Sequence, residues 1–173
     1  MSGQTVADIG EFGLIAALQP RLRTSAAVEV ASGDDAAVVR LGAERLVVST
    51  DMLVQDRHFR LEWSSAEDIG RKAAAQNIAD LSAMGARPVA LTAAIALPPH
   101  TSVEWVLGVV DGLVAEAAEV GAVVVGGDVT RAENVTISIT AMGVPAGSRL
   151  VPRSGAQPGD VVAICGRLGW AAA

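Results

Sequence analysis

Two runs rich in β-formers, Ala36-Ala37-Val38-Val39 and Leu46-Val47-Val48, stand on either side of the turn-like Gly42-Ala43-Glu44-Arg45. This spacing predicts a β-hairpin. The first run is entered through Gly33-Asp34-Asp35 and the second leads into Ser49-Thr50-Asp51, so a hairpin brings both acidic segments to one end of a sheet. Three carboxylates and two hydroxyls gathered there repel one another unless a cation lies between them. An oxygen-only donor set favours Mg²⁺ or Mn²⁺ over zinc. The plainer alternative is two solvated acidic turns. Against it, Ser-Thr-Asp follows directly on a valine-rich strand, a usual place for ligand-binding groups.

What surrounds the hairpin must be built from small aliphatic side chains. Of 173 residues 51% are hydrophobic but only 3% aromatic, with no tyrosine. The length suits one domain, or one domain and a fragment of a second. A formal charge of −6 argues against a nucleic-acid partner. The single cysteine, Cys165, excludes an intrachain disulfide and suits a reducing compartment. There is no uninterrupted apolar stretch of about 18 residues and no basic-then-apolar leader, so the expectation is a soluble cytoplasmic protein without a membrane partner.

Residues 8–19 carry a helical apolar stripe stopped by Pro20. A second helix is predicted from a cap at Ser64 or Ser65 to about Met84, with Glu67 and Asp68 in its first turn and Gly85 as its stop. Its faces are nearly all small, and Asn77 and Asp80 share one side. A lone carboxylate in so apolar a segment needs a partner, and a metal ion is the preferred one for Asp80. Pro88–Leu97 reads as a buried strand, and a helix capped by Thr101 or Ser102 runs to about Val120. Ala122–Val125 is a strand delivering Gly126-Gly127-Asp128, where the glycines would let backbone approach a ligand. Asn134–Val144 alternates like a half-polar strand. Asp160–Cys165 restarts a strand, and Gly166–Ala173 reads as a turn entering a helix. The expected fold is α+β, a mixed sheet of four or five strands covered on one face by two long helices, in the order β-β-α-β-α-β-β. Its first domain is expected over residues 1–147, with a linker and the start of an incomplete second domain over 148–173.

Several chemistries are excluded. There is no Gly-x-x-x-x-Gly-Lys-Ser/Thr loop, and Lys72 is the only lysine. No Gly-x-Gly-x-x-Gly opens a helix after a strand. One cysteine with His58 and His100 cannot make a structural zinc site. What remains is Asp34, Asp35, Asp51, Asp80 and Asp128 on four separate elements, a composition suited to several Mg²⁺ ions neutralising a polyanion.

These residues resemble a known family. Ser-Gly-Asp-Asp-Ala-Ala (32–37), Ser-Thr-Asp (49–51), His58-Phe59, Asn77-Ile78-Ala79-Asp80-Leu81-Ser82-Ala83-Met84-Gly85-Ala86, Gly126-Gly127-Asp128-Val129-Thr130-Arg131 and Arg153–Asp160 are similar in order and spacing to the thiamine-monophosphate kinases. That family lies within the aminoimidazole ribonucleotide synthetase-like superfamily. The resemblance implies the superfamily's ATP-binding N-terminal domain and phosphorylation of thiamine monophosphate to the diphosphate by ATP, the last step of thiamine diphosphate biosynthesis. It implies Mg²⁺ held by Asp35, Ser49, Thr50, Asp51, Asp80 and Asp128, and ATP contacted by Gly127, Asp128 and Arg153. It further implies substrate contact by His58 and a homodimer pairing its sheets. No general base is called for, because a phosphate monoester is largely ionised at neutral pH; alignment and suppression of anionic repulsion suffice. The chain resembles only the N-terminal half, so metal and weak nucleotide binding with little turnover is expected. The alternatives are the same half of a selenophosphate or aminoimidazole ribonucleotide synthetase, or a non-catalytic dimerisation module.

Overall fold

The computed structural model describes residues 25–30 and 34–164, with isolated positions before them. The helix expected over residues 8–19 lies outside the described residues apart from Gly13 and Ala16, which are helical; so do Cys165 and the turn expected from Gly166. Six strands and two long helices follow in order: β1 (Val28–Val30), β2 (Ala37–Leu41), β3 (Glu44–Val54), α1 (Ala66–Ala83), β4 (Ala86–Leu97), α2 (Val103–Glu119), β5 (Val123–Arg131) and β6 (Thr136–Pro145). A 3₁₀ turn occupies Arg153–Gly155.

The sheet order is β1-β2-β3-β6-β4-β5. Every pair is antiparallel except β4–β5, which the crossover through α2 makes parallel. The expected α+β sheet with two helices on one face is therefore present, with one strand more than expected. That strand is β1, three residues on the outer side of the hairpin, too short to show a period in sequence.

Alternation decides what faces the helices. On β3, Val47, Ser49 and Leu53 are buried and Asp51 half-buried, while Thr50 and Met52 are exposed on the other side. On β6, Ile137, Ile139 and Ala141 point inward in the same way. The strand expected to be buried throughout, Pro88–Leu97, instead has an inner row of Leu91, Ala93 and Ile95 and an outer row only half-buried at Ala90, Thr92 and Ala96, with Ala94 and Val89 (40%) exposed. Its apolar run reflects an outer face that is apolar as well.

Helix α1 begins at a reciprocal cap. Asp68 N–H donates to Ser65 Oγ, and Ser65 N–H donates to the Asp68 carboxylate, each at 3.1 Å. It ends at Gly85, whose φ of +70° suits glycine. The two helices cross backbone to backbone. A Cβ at Gly70 would lie 1.9 Å from the Val109 carbonyl, and one at Gly112 2.0 Å from that of Glu67. Helix α1 lies between α2 and β3, and its contact with β3 makes the site described next.

The segment after β6 folds back on the same unit. Val151 N–H donates to the Met84 carbonyl at 3.2 Å, and half-buried Leu150 packs on the core. The strand expected over Asp160–Cys165 does not form: residues 160–164 are exposed and have no strand partner.

Candidate functional site

The site lies where α1 crosses β3. Residues 49 and 51 point at the helix because strand side chains alternate, and residues 72, 76 and 80 line one helix face because they are four apart. Ser49 Oγ donates to Asp80 Oδ2 at 2.9 Å and lies 3.1 Å from the Asp35 carbonyl, which also accepts from it. The amide nitrogen of Gln76 donates to Asp51 Oδ2, and Met52 N–H donates to Asp51 Oδ1 at 2.8 Å. Arg153 reaches back from the linker: its Nη2 donates to Asp35 Oδ1 at 2.7 Å and its backbone N–H to Asp34 Oδ2 at 2.9 Å.

Asp35, Asp51 and Asp80 thus share one electrostatic neighbourhood. The Asp80 carboxyl is pushed above its ordinary value, first by burial and further by the like charges of Asp51 and Asp35, while the Ser49 hydroxyl opposes the shift. In kind, this donor set of three carboxylates and a hydroxyl suits a hard divalent cation. It is not a closed cage as it stands. Among the described residues no three His, Cys, Asp or Glu side chains converge on one point. Each carboxylate is met instead by a donor of this chain: Arg153, Gln76 or Ser49. Beside Asp35, a groove of about 740 Å³ runs between the end of α1 and the linker, with Ala83, Arg149, Val151, Arg153 and Asp160 in its walls.

Two of the expected metal-binding residues fall elsewhere. Thr50 turns its hydroxyl to the opposite face of the sheet, donating to the Ile139 carbonyl at 2.9 Å and lying 3.0 Å from Thr140 Oγ1. The period of two along β3 separates it from Ser49 and Asp51. Asp128 stands on edge strand β5, in register with Ala94, and through it with Ser138 and Met52, the row that points away from the helices. Three strand spacings, roughly 14 Å, separate β5 from β3. Asp51 is not at a strand end either, since β3 continues to Val54.

Nor does Gly127, directly before Asp128, open a way for a ligand. A Cβ at Gly127 would lie 1.7 Å from the Ala93 carbonyl oxygen, so the space is filled by the neighbouring strand. Gly126, at φ +147°, sits where β5 slips in register on β4. Gly127 and Asp128 are on the far edge of the sheet, whereas Arg153 is at Asp35; the structure does not bring these three together.

His58 lies on the turn that leaves β3, exposed, with Phe59 buried beneath it. Its Nδ1 accepts from Val54 N–H at 2.9 Å, which places the ring proton on Nε2. Two neighbours had no part in the sequence reading, Gln76 on Asp51 and Lys72 on the His58 carbonyl. The signal for both was the Lys72-Gln76-Asp80 spacing on α1. Asn77, expected to share the face of Asp80, is 2% exposed and turned into the core; its Nδ2 donates to the Ala73 carbonyl, and its Oδ1 has no partner.

Comparison with known proteins bears on this arrangement. Across 98% of its length the chain is 47% identical to the thiamine-monophosphate kinase of Mycobacterium tuberculosis, matching 51% of that protein. It is 46% identical to the Corynebacterium glutamicum enzyme of the same name, over 99% of this chain and 51% of that one. The chain spans about half the length of the curated relatives it matches. A solved structure, AaThiL complexed with AMPPCP and TMP, superposes with a TM-score of 0.81 at 30% identity, covering 91% of this chain and 48% of that one. Residues 33–145 match the family described as AIR synthase related protein, N-terminal domain. Since that match takes in β2 to β6, both helices and Asp35, Ser49, Asp51 and Asp80, the chain belongs to the AIR synthase related family through its N-terminal domain.

Proposed function

We propose that the chain is the ATP- and Mg²⁺-binding half of a thiamine-monophosphate kinase, a cytoplasmic phosphotransferase acting on thiamine monophosphate. The observation that carries this is the gathering of Asp35, Ser49, Asp51 and Asp80 where α1 crosses β3, in a chain 47% identical to kinases of that name. Asp35, Asp51, Asp80 and Ser49 would hold the metal. Bound there, a divalent cation neutralises phosphate charge that this chain's single lysine could not. The residues themselves place and align. The groove beside Asp35 accepts the nucleotide, with Arg153 in its wall able to exchange a carboxylate for a phosphate. His58 addresses the acceptor from the other end of α1. The Gly127-Asp128 segment would join the site only after rearrangement of the sheet edge, and Thr50 only from the opposite face of β3.

The relatives are about twice as long, so residues 1–147 are proposed as the binding domain and 148–173 as the lead into a second one. Binding without appreciable turnover is the expected behaviour of residues 1–173. The outward sheet face, with Met52 and Val89 exposed, supports pairing of two copies as a homodimer. Calorimetric titration of ATP with and without Mg²⁺ tests the reading. Wild type should bind only with Mg²⁺, and Asp51→Asn should lose that dependence. No metal dependence in either protein would favour a non-catalytic dimerisation module.

A further inference from the structure

We infer that Lys72 is a positioning residue that fixes the His58 turn so that the imidazole can receive the phosphate of the acceptor; only the identity of that anion rests on the kinase reading. The turn is tightly determined. Asp56 N–H donates to the Phe59 carbonyl at 2.8 Å, and the N–H groups of Arg57 and His58 both donate to the Val54 carbonyl, at 3.2 and 2.9 Å. Asp56 has φ +63°, the one positive value among the described non-glycine residues. Side chains with a Cβ rarely adopt that conformation unless their surroundings hold it. Two clamps do so. Val54 N–H holds the His58 ring through Nδ1, and the Lys72 ammonium, reaching across from α1, holds the His58 backbone carbonyl.

Together the clamps turn the Nε2–H of His58 away from the backbone and toward a cleft of about 470 Å³ bordered by Arg57, Arg60, Trp63, Asp68 and Lys72. The other charges there are already engaged. Both the N–H and the hydroxyl of Ser65 donate to the Asp68 carboxylate. Asp56 accepts from Gln55 Nε2 at 3.3 Å, and Arg60 stacks 4.3 Å from the centre of the Trp63 ring. Among the described contacts this leaves Nε2–H of His58, two ammonium hydrogens of Lys72 and the Arg57 guanidinium facing the cleft. That donor set suits a phosphate monoester.

The placement along α1 gives the cleft its purpose. Lys72 is four residues from Gln76, which holds Asp51, and eight from Asp80. At 1.5 Å per residue these are separations of about 6 and 12 Å along the helix. An anion held at His58 would therefore lie about one helical turn, measured along α1, from the residue that holds Asp51 of the acidic cluster.

Lys72→Met keeps the apolar stem and removes the charge; Lys72→Arg restores a donor. Two measurements are made on each, with circular dichroism melts as a check on folding: amide hydrogen exchange across residues 54–59, and equilibrium binding of thiamine monophosphate beside thiamine. In Lys72→Met, exchange at Val54 and His58 should quicken at least tenfold. The preference for the phosphorylated ligand should fall at least tenfold, with thiamine binding unchanged, and Lys72→Arg should recover most of both. Unchanged exchange in folded Lys72→Met overturns the inference, as does an unchanged preference for the monophosphate. If wild type shows no such preference but Lys72→Met still loosens the turn, the positioning role stands and the kinase reading falls.

Discussion

Gly127→Ala separates two explanations of the paired glycines that precede Asp128. The added Cβ would meet Ala93 at 1.7 Å from its carbonyl oxygen, 2.7 Å from its carbonyl carbon and 3.0 Å from its nitrogen. All three are backbone atoms of β4, so no side chain can swing aside. Ordinary contact begins at 3.4 Å, so β5 must withdraw by about 1.7 Å (3.4 − 1.7) at that point. A ladder hydrogen bond does not survive such a displacement. Losing two or three β4–β5 bonds, at about 1 kcal/mol net each, together with strain in what remains, gives an expected loss on the order of 2–4 kcal/mol. Urea unfolding measures the loss, and hydrogen exchange should localise it to residues 123–131. Gly147→Ala is the control, with nothing within 4 Å of the new Cβ and no positive φ, and should fall within about 0.5 kcal/mol of wild type. If Gly127→Ala were as stable as the control yet lost Mg²⁺-dependent ATP binding, the glycine would serve ligand approach and the strand-pairing argument would be refuted.

Asp80 carries a raised pKa in the fold, so its contribution to stability is present at low pH and lost as pH rises through the folded value; at neutral pH its charge is a cost. Asp80→Asn should therefore melt no lower than wild type at pH 7 in EDTA, with any advantage shrinking as pH falls toward the ordinary value of 3.8, and should lack the rise in Tm expected of wild type on adding Mg²⁺. A clearly lower Tm at pH 7 would contradict this. Arg153→Gln removes an ion pair whose side chains are 68% and 38% exposed, so stability should change by less than about 1 kcal/mol. Affinity for Mn²⁺, followed by electron paramagnetic resonance, should nevertheless rise as a competing cation leaves Asp35, and a fall would count against the pairing. Ser49→Ala strips the partly buried Asp80 of its hydroxyl donor and should cost about 1–2 kcal/mol. Thr50→Val, on the other face, should leave metal dependence intact; its loss there would show the face assignment to be wrong.

What could be read from the sequence was what neighbouring residues decide among themselves. The cap of α1 needs only Ser65 and Asp68, and the hairpin only a turn between two valine-rich runs. Asp80 stood out because a carboxylate among alanines has few alternatives to a polar partner, and Ser49 is that partner. Thr50 was grouped with Ser49 and Asp51 by adjacency, although the strand period alone assigns it to the other face. Asp128 could not be placed without tertiary knowledge. Gly126-Gly127 looks like the end of a strand, yet β5 runs through it to Arg131, and at Gly127 it is β4 that fills the space a Cβ would take. Val161-Val162-Ala163-Ile164 has the composition of a strand but finds no edge to pair with. Arg153 on Asp35 lies 118 residues away in sequence, beyond the reach of any local pattern.

The three carboxylates of the site are met by donors of unequal tenacity, and that inequality orders their availability to a cation. Ser49 need not leave Asp80, because a hydroxyl that donates to a carboxylate keeps lone pairs free for a metal. Gln76 is a neutral amide on half-buried Asp51, so its departure leaves no unpaired cation behind and frees the carboxylate for one. Arg153 on Asp35 is the strongest competitor in charge but the most exposed in position, and its guanidinium can turn into the adjoining groove without leaving water. A nucleotide in that groove would offer it phosphate oxygens in place of Asp35. Metal and nucleotide should therefore each ease the other's entry through one arginine: ATP draws Arg153 away from the carboxylate, and the vacated carboxylate binds the ion that ATP requires. Reciprocity of this kind is measurable as an equal fold-change of each ligand's affinity by the other, and Arg153→Gln should reduce that factor while leaving the folded chain in place.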